Sequence, residues 1–357
     1  MAGQIAVLSS GVWQLREIVR RLTGLEPVRW APPFRRPDFD CVVGWGLKPT
    51  SNRARRLAKK SGKNYLAMED GFVRSLVPGT DEMPLSLVID RSGIYYDATS
   101  GSDLEQLIIE NASSSDPGMI SRARAGMALL RDARISKYNH APFVSPEQMG
   151  LGPVPDGGRV LVVDQTRGDA SVRCGMANGA SFKRMLDAAI LENPGAEIIV
   201  KIHPEVVRGR KQGYLTRLRD RQVTVIGGEI NPWSLIELVE KVYVVTSQLG
   251  LEALLAGRRV VCFGVPFYSG WGLTDDRVAS PGRTATKVSP EHLFTAVYLK
   301  YARYICPETG LELEFEDAIA WLVKQRQCFF SNLEQCTVPA ASSPASTREP
   351  APAAMRS

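Results

Sequence analysis

The sequence has few of the residues that build metal centres and disulfide frameworks. Its 357 residues include only three histidines and six scattered cysteines, with no CxxC pair and no cysteine–histidine cluster at zinc spacing. No apolar run approaches the roughly 18 residues that a membrane-spanning helix needs. The start "MAGQIAVLSSGVW" lacks the charged region and apolar core of a signal peptide. We therefore expect a protein of the reduced cytoplasm that binds no metal.

Two nucleotide-binding signatures are absent as well. The chain contains neither the phosphate loop GxxxxGK[ST] nor a GxGxxG turn after its first strand. The net charge of +6 allows contact with phosphates, anionic sugars or an acidic membrane surface, although scattered surface lysines and arginines would give the same sum. The absence of both motifs disfavours ATP hydrolysis and conventional dinucleotide chemistry. We expect no nucleic-acid partner.

What is present is a repeated alternation of short β-branched runs and amphipathic stretches. This pattern is typical of doubly wound sheets, and a hydrophobic content of 44% supplies their core. The predicted strands of the first half are "QIAVLSS", "DCVVGWG", "NYLAMEDGF" and a pair of short strands within "PLSLVIDRSGIYYDAT"; those of the second half are "RVLVVDQ", "AEIIVKIHP", "QVTVIGG", "KVYVVTS" and "RRVVCFG". The sequence predicts an α/β protein with two Rossmann-like domains that face a cleft.

A Pro- and Gly-rich stretch over 141–158 marks the hinge between the two domains. We divide the chain into an N-terminal domain (1–145), a C-terminal domain (146–310), a terminal helix that returns toward the N-terminal domain (311–336) and a disordered Pro/Ala/Ser-rich tail (337–357). Ligands of open α/β sheets bind beyond the carboxyl ends of the strands. The residues that follow each strand are therefore the candidate site residues.

Two of these strand ends carry carboxylates. Glu69 and Asp70 follow "NYLAM", and either an acid/base group with Arg74 as an anion ligand or an acidic turn with a surface ion pair would explain them. Asp169 follows "RVLVVDQ" on a glycine-containing loop, where it is a nucleophile, a base or a helix cap. Gln165, on the strand before it, is expected to position the loop.

The other strand ends carry cations, hydroxyls and aromatics. Strand alternation places Lys201 and His203 on one side of the strand, which Pro204 ends. Two such side chains would bind a phosphate or a carboxylate, or the histidine has only a structural role. Thr246 or Ser247 would cap the next helix and make its N-terminus an anion site, or act as a cap and nothing more. Two further candidates are Glu252, within reach of a ribose hydroxyl, and the aromatic loop that holds Phe267, Tyr268 and Trp271, which could stack on a base or sugar.

Six motifs in order resemble the KpsC-type capsule β-Kdo transferases: "EDGFVRS", "SLVIDRSGIYYDAT", "DQTRGDAS", "KIHPE", "TSQLGLEAL" and "GVPFYSGWGLTDD". The resemblance implies a GT-B-like fold whose C-terminal domain binds CMP-β-Kdo as donor substrate, with no cofactor and no metal. It implies transfer of the sugar acid Kdo with retention to a lysophosphatidylglycerol/Kdo linker acceptor during capsule biosynthesis and export. Family members usually carry two tandem modules, and this chain resembles one.

Residue by residue, the resemblance implies Asp169 as nucleophile and Glu69 as acid/base group, with Asp70 as the competing choice. His203 and Pro204 match an "HP" motif at the donor phosphate, Ser247 matches a phosphate contact, and Glu252 a contact to the cytidine ribose. The sugar carboxylate calls for a cation such as Arg74, Arg173 or Lys201. Gln165 and Gly250 complete the expected donor-binding set.

Two other functions fit the same motifs. One is a GT-B transferase for another CMP-ulosonic acid, and the other is a non-catalytic capsule assembly or export factor that binds polysaccharide. For the main interpretation we expect a glycolipid or Kdo-oligosaccharide acceptor and other capsule assembly proteins as partners. The basic stretches "RRLAKK" and "RGRK" would meet the cytoplasmic face of the inner membrane or form solvated helix faces.

Overall fold

The computed structural model describes residues 3–31, 38–77, 79, 82–113, 116–215, 218, 222–283 and 287–337. The described strands are β1 Gln4–Val7, β2 Glu26–Arg29, β3 Cys41–Trp45, β4 Asn64–Asp70, β5 Ser86–Asp90, β6 Arg159–Val163, β7 Glu197–Lys201, β8 Thr224–Ile226, β9 Lys241–Val244, β10 Arg259–Cys262, β11 Asp275–Asp276, β12 Arg303–Ile305 and β13 Glu312–Leu313.

The described helices flank these strands along the chain. They are α1 Ser10–Gln14, α2 Arg16–Thr23, α3 Asn52–Ser61, α4 Asp103–Ala112, α5 Pro117–Asp132, α6 Ala170–Cys174, α7 Gly179–Leu191, α8 Pro204–Val207, α9 Trp233–Ile236, α10 Leu249–Leu255, α11 Pro290–Phe294 and α12 Phe315–Thr337, with a π-helical segment over Thr295–Tyr301.

Two sheets organise the fold. The first has the order β13-β12-β5-β4-β3-β1-β2, and the second has the order β11-β10-β9-β6-β7-β8. Strands β1 to β4 pair in parallel, whereas β5, β12 and β13 pair antiparallel. All pairs of the second sheet are parallel. The predicted α/β class with two Rossmann-like, GT-B-like halves is confirmed.

Strand alternation explains how each sheet is covered on both faces. On β6, Val160 and Val162 join a cluster with Phe182 of α7, whereas Leu161 and Val163 point into the largest cluster with Leu251 of α10. Successive strand side chains point to opposite faces, so a fully apolar strand needs a helix layer on each side. The near-continuous apolar strands of the second half are buried in this way.

The structure corrects the predicted elements in four places. The segment after Asp90 forms turns instead of a second strand, because Asp90 and Asp103 accept the backbone N–H groups of residues 91–93. The stretch "VWQLREIVRRL" (12–22), whose apolar spacing predicts one helix, is broken at Leu15 into α1 and α2. The edge strand β2 was not predicted. Helix α12 begins at Phe315, because residues 312–313 form β13.

The last part of the chain also rejoins the first sheet earlier than expected. β12 (Arg303–Ile305) pairs with β5, so this end of the predicted C-terminal domain belongs to the N-terminal sheet and not to the second one. The predicted tail, apart from Thr337, lies outside the described residues.

The loops beyond the strand ends of the two sheets contact each other directly. Gln248, before α10, donates to the carbonyl of Phe72 at 2.8 Å, and Ala98 donates its amide to the carbonyl of Cys174 at 3.0 Å. Trp233 of α9 donates its indole N–H to the carbonyl of Ile135 at 2.9 Å. The carboxyl ends of β4, β6, β7 and β9 are thus brought to the junction of the two halves.

Candidate active site

Glu69, at the end of β4, is a buried carboxyl group in a polar niche. The indole N–H of Trp45 donates to its Oε1 at 2.5 Å, and the ammonium of Lys48 lies 3.4 Å from the same atom. Gly46 adopts φ +44°, and a Cβ there would lie 2.9 Å from Oε2 of Glu69, so glycine permits the close approach. Burial raises the pKa of Glu69 above 4.5, against the opposing charges of Lys48 and Lys137. A carboxyl group with a raised pKa is suited to proton transfer near neutral pH.

The neighbouring Asp70 has a different role. The guanidinium of Arg74 donates from Nε to Asp70 Oδ1 at 2.9 Å and from NH1 to Ser75 Oγ at 2.9 Å. Both members of this ion pair are largely covered. The pair is therefore a buried structural one, which differs from the predicted surface ion pair and from Arg74 as a free anion ligand. This arrangement favours Glu69 over Asp70 as the acid/base group.

Asp169 caps α6 and is oriented by a network that starts from β6. Its Oδ1 accepts from the amide and the hydroxyl of Ser171, each at 2.9 Å, and its Oδ2 accepts from Gln165 Nε2 at 3.2 Å. The buried Gln165 side chain also accepts from the amide of Thr246 at 3.0 Å and donates to its hydroxyl at 3.1 Å. A carboxylate has about four lone-pair positions, so this cap leaves one on Oδ2 for chemistry. Gln165 lies two residues beyond the end of β6, and its contacts link Asp169 to Thr246.

Lys201, the last residue of β7, is only 8% exposed. Burial lowers its pKa to about 8, against the nearby charge of Glu229. No hydrogen bond or ion pair reaches its ammonium within the part of the chain that the structure describes. A desolvated and unpaired cation at a strand end is a strong site for an anionic group.

His203 lies beside Lys201 at the rim of the site, where Pro204 begins α8. Its Nδ1 accepts the amide of Glu205 at 3.1 Å, so the neutral ring carries its proton on Nε2 and can donate it outward. Partial burial of the ring, together with Lys211 and Lys201, lowers the pKa of His203 below 6.5. The neutral, donating form is therefore favoured near pH 7.

The start of α10 differs in part from the expected cap. Ser247 Oγ accepts the amide of Leu249 at 3.3 Å, but Gln248 stands at the cap position, where its side chain makes no capping bond to the helix amides, and Thr246 bonds to Gln165 instead. A Cβ on Gly250 would lie 2.2 Å from the Tyr268 hydroxyl, which explains glycine there by packing.

Glu252 is part of the junction between the two halves. It is 6% exposed, and its Oε1 accepts from the Ser136 hydroxyl at 2.8 Å and from Gln248 at 3.3 Å. Burial raises the pKa of Glu252 to about 7. A ribose contact to Glu252 stays a prediction.

Burial changes the expectation for the aromatic loop. The aromatic side chains of the loop after β10 are at most 4% exposed, so they belong to the core instead of stacking on a ligand; these are Phe267, Tyr268 and Trp271. Phe267 packs against Phe72 with ring centroids 5.1 Å apart. Arg173, by contrast, is exposed on α6.

Sequence reasoning missed two residues that lie near the candidate carboxylates. Lys137 and Tyr95 each lie within electrostatic range of Glu69, Asp70 and Asp169. Neither follows a predicted strand, so the search of strand ends passed over them. The available signal was the cluster of polar and aromatic residues in "SKYNH", which precedes the predicted hinge, and the pair of tyrosines in "IYYD".

The assembled site holds two carboxylates of different environment, a desolvated lysine and a neutral histidine. Glu69 comes from the first sheet, whereas Asp169, Lys201 and His203 come from the second. Such a set can provide a nucleophile, a base and a binding site for an anionic leaving group. Within the described residues, no three His, Cys, Asp or Glu side chains are grouped to hold a metal ion.

Comparison with known proteins identifies the family. The model of the family described as "Capsule polysaccharide biosynthesis protein" matches residues 40–149 and 156–306. The "Capsule polysaccharide modification protein LipA" of Neisseria meningitidis serogroup A is 43% identical over 290 residues, which are 79% of this chain and 41% of LipA. The "Lipopolysaccharide-processing protein LpsZ" of Rhizobium meliloti is 39% identical over 80% of this chain and 64% of its own length. The chain thus spans about two fifths to two thirds of the length of these curated relatives.

Two solved structures share the fold and much of the sequence. The β-Kdo 2,4 transferase of Thermosulfurimonas dismutans KpsC has a TM-score of 0.82 and 41% identity, covering 90% of this chain and 98% of that one. The β-Kdo 2,7 transferase of the same KpsC has a TM-score of 0.67 and 26% identity, covering 91% and 100%. The predicted resemblance to KpsC-type proteins is confirmed, and the chain belongs to the capsule polysaccharide biosynthesis protein family.

Proposed function

We propose that this member of the capsule polysaccharide biosynthesis family is a retaining β-Kdo glycosyltransferase that uses CMP-β-Kdo as donor. The carrying observation is that Glu69, from one sheet, and Asp169, from the other, share the neighbours Lys137 and Tyr95. The 41% identity with a β-Kdo transferase structure that covers nearly all of both chains supports the same substrate class.

The geometry supports a double displacement. An oxygen of Asp169 attacks the anomeric carbon, the bond from that carbon to the donor phosphate breaks, and CMP leaves with the bonding electron pair. The acceptor hydroxyl then attacks the same carbon, its proton passes to Glu69, and the bond to Asp169 breaks. Two inversions give net retention. The hydrogen bonds of Gln165 and Ser171 to Asp169 fix the attacking carboxylate before the donor binds.

The leaving group is expected to bind beyond β7 and before α10. The unpaired ammonium of Lys201 and the Nε2–H of His203 supply charge and a hydrogen-bond donor for the phosphate, and Ser247 lies at the neighbouring strand end. Stabilising the developing phosphate charge with such preorganised groups lowers the barrier to departure of CMP. The chain can perform this step with its own side chains.

The acceptor is proposed to be a glycolipid or a Kdo-oligosaccharide at an inner-membrane surface. Helix α3 contains no acidic residue, and its exposed cations Arg53, Arg56, Lys59 and Lys60 form no ion pair with described residues. In "RGRK", by contrast, Arg208 and Arg210 pair with Glu205. No described helix is long and apolar enough to cross a bilayer. Binding to vesicles of anionic lipid tests this surface. We expect the binding to weaken with added salt and to be lost when the four α3 cations are replaced by Gln.

The proposal is tested by following the donor. With CMP-Kdo generated in situ and no acceptor, we expect slow release of CMP by hydrolysis, and faster release when a Kdo-terminated acceptor is added. Release from CMP-sialic acid but not from CMP-Kdo would assign another ulosonic acid. Binding of a capsule saccharide without release from either donor would instead identify a non-catalytic assembly factor.

A further inference from the structure

Lys137 is a half-buried lysine between the two halves of the molecule, and the mechanism above gives it no task. Its carbonyl accepts the amides of Arg74 at 3.1 Å and Ser75 at 3.4 Å, both from the first half. Its own amide hydrogen-bonds to Glu252 of α10, in the second half. The backbone of Lys137 is therefore fixed from both sides, and its side chain starts from a defined position.

The ammonium of Lys137 faces an excess of negative charge. Burial lowers its pKa, but Tyr138, Asp70, Glu69 and Asp169 outweigh burial and raise it above 10.5. None of these carboxylates forms an ion pair or a hydrogen bond with the ammonium, within the described ranges of the chain. The ammonium lies over the Tyr138 ring, 5.8 Å from Nζ to the ring centroid. The raised pKa keeps the ammonium of Lys137 charged at neutral pH, and the ammonium lies within electrostatic range of the carboxylate proposed to attack.

The other candidate cations are placed elsewhere. Arg74 is occupied by Asp70 and Ser75. Arg173 is exposed on α6, and Lys201 lies at the end of β7 next to Glu229. Lys137, by contrast, lies within electrostatic range of both Glu69 and Asp169.

We propose that Lys137 binds the carboxylate of the sugar acid that is transferred, and so selects a sugar acid over a neutral sugar; this rests on the proposed function. In such a donor the carboxylate is attached to the carbon that Asp169 attacks. Two negative charges would approach each other within a few bond lengths, and their repulsion in a water-poor site is large. An ammonium between them offsets that repulsion and orients the anomeric carbon. A neutral sugar would leave the ammonium without this partner.

The test separates binding of the sugar from binding of the nucleotide. Lys137→Gln keeps the backbone hydrogen bonds and removes the charge, Lys137→Arg keeps the charge, and Lys241→Gln is the matched control. Lys241 donates to Asn193 at 2.8 Å at the opposite end of the second sheet. For each variant, the affinity for CMP is measured by calorimetry, and kcat and KM by CMP release from CMP-Kdo over a range of pH.

We expect Lys137→Gln to lower kcat/KM for CMP-Kdo by about 30-fold, as for a lost charge-assisted hydrogen bond, with CMP affinity within about twofold of wild type. Lys137→Arg should recover part of the loss. Because Lys137 lowers the pKa of Glu69, its removal should also move the acidic limb of the kcat profile to higher pH, an effect that a purely structural residue would not produce.

Three outcomes overturn the inference. Wild-type kinetics in Lys137→Gln would show that the ammonium does not contact the sugar. An equal loss of CMP and CMP-Kdo binding would assign Lys137 to the nucleotide. If Lys137→Gln and Lys241→Gln lowered kcat/KM equally, the loss would be a general effect of charge or stability. A wild-type protein that neither binds CMP nor releases it contradicts the proposed function itself.

Discussion

At the scale of single residues, adjacent side chains on one strand have separate tasks. Glu69 and Asp70 point to opposite sides at the end of β4, so one enters the niche of Trp45 and Lys48, and the other pairs with Arg74. The sequence places both at a strand end but does not show which is already neutralised by a neighbour. That choice depends on the fold of residues 71–75.

We predict that Glu69→Gln lowers the transfer rate by about 100-fold or more, as for loss of a general base, and leaves the fold intact. In wild type the base form of Glu69 is lost as pH falls through a pKa above 4.5, so the rate should fall on that side. Rate–pH profiles of the wild type and the variant check this prediction, because the residual rate of Glu69→Gln should lack this limb.

Asp70→Asn is the matched comparison. It removes a charge from the buried pair with Arg74 and should lower the free energy of unfolding by about 3 kcal/mol, while the acidic limb remains. If Asp70→Asn abolished the limb and Glu69→Gln kept it, the two assignments would have to be exchanged.

At the scale of elements, the strands were predictable and several contacts around them were not. Buried parallel strands such as β6 and β7 have a run of apolar, mostly β-branched residues at their centre, so composition reveals them. The edge strand β2 contains Pro27 and two charged residues, a composition that short loops share. Lys137 and Tyr95 lie on irregular segments. Local composition marks these segments as unusual, but their position near the carboxylates depends on long-range contacts.

Glu252, in helix α10, makes the stability of the junction between the two halves depend on pH. Glu252 is buried there with a pKa of about 7, above its ordinary 4.5. A carboxyl group with a raised folded-state pKa stabilises the fold fully below pH 4.5, and this contribution is lost as pH rises through 7. The difference of 7 − 4.5, or 2.5 pH units, corresponds to about 3 kcal/mol.

We therefore predict that Glu252→Gln reduces the pH dependence of stability. In urea unfolding, the free energy of unfolding of wild type should be lower at pH 8.5 than at pH 5. In the variant this difference should be smaller by about 3 kcal/mol, which is the contribution of Glu252. An unchanged difference between the two pH values would show that the Glu252 carboxyl is not the titrating group.

At the scale of the whole molecule, function depends on two sheets whose carboxyl ends meet. The alternation of strands and helices is enough to predict two Rossmann-like halves, and six motifs are enough to predict the family, which the match over residues 40–149 and 156–306 confirms. How the halves dock cannot be read locally. Bonds such as those from Ser136 to Glu252 and from Gln248 to Phe72 join residues more than 100 positions apart.

The central claim is that Asp169, held by Gln165 and Ser171, takes the sugar as a covalent intermediate in the site that the two halves form. The most direct measurement is intact-protein mass spectrometry of wild type and Asp169→Asn after incubation with CMP-Kdo generated in situ. We predict a mass gain of one Kdo unit on wild type, located at Asp169 by peptide mapping and absent from the variant. CMP release by wild type without an adduct, or an equal adduct on Asp169→Asn, would contradict the account.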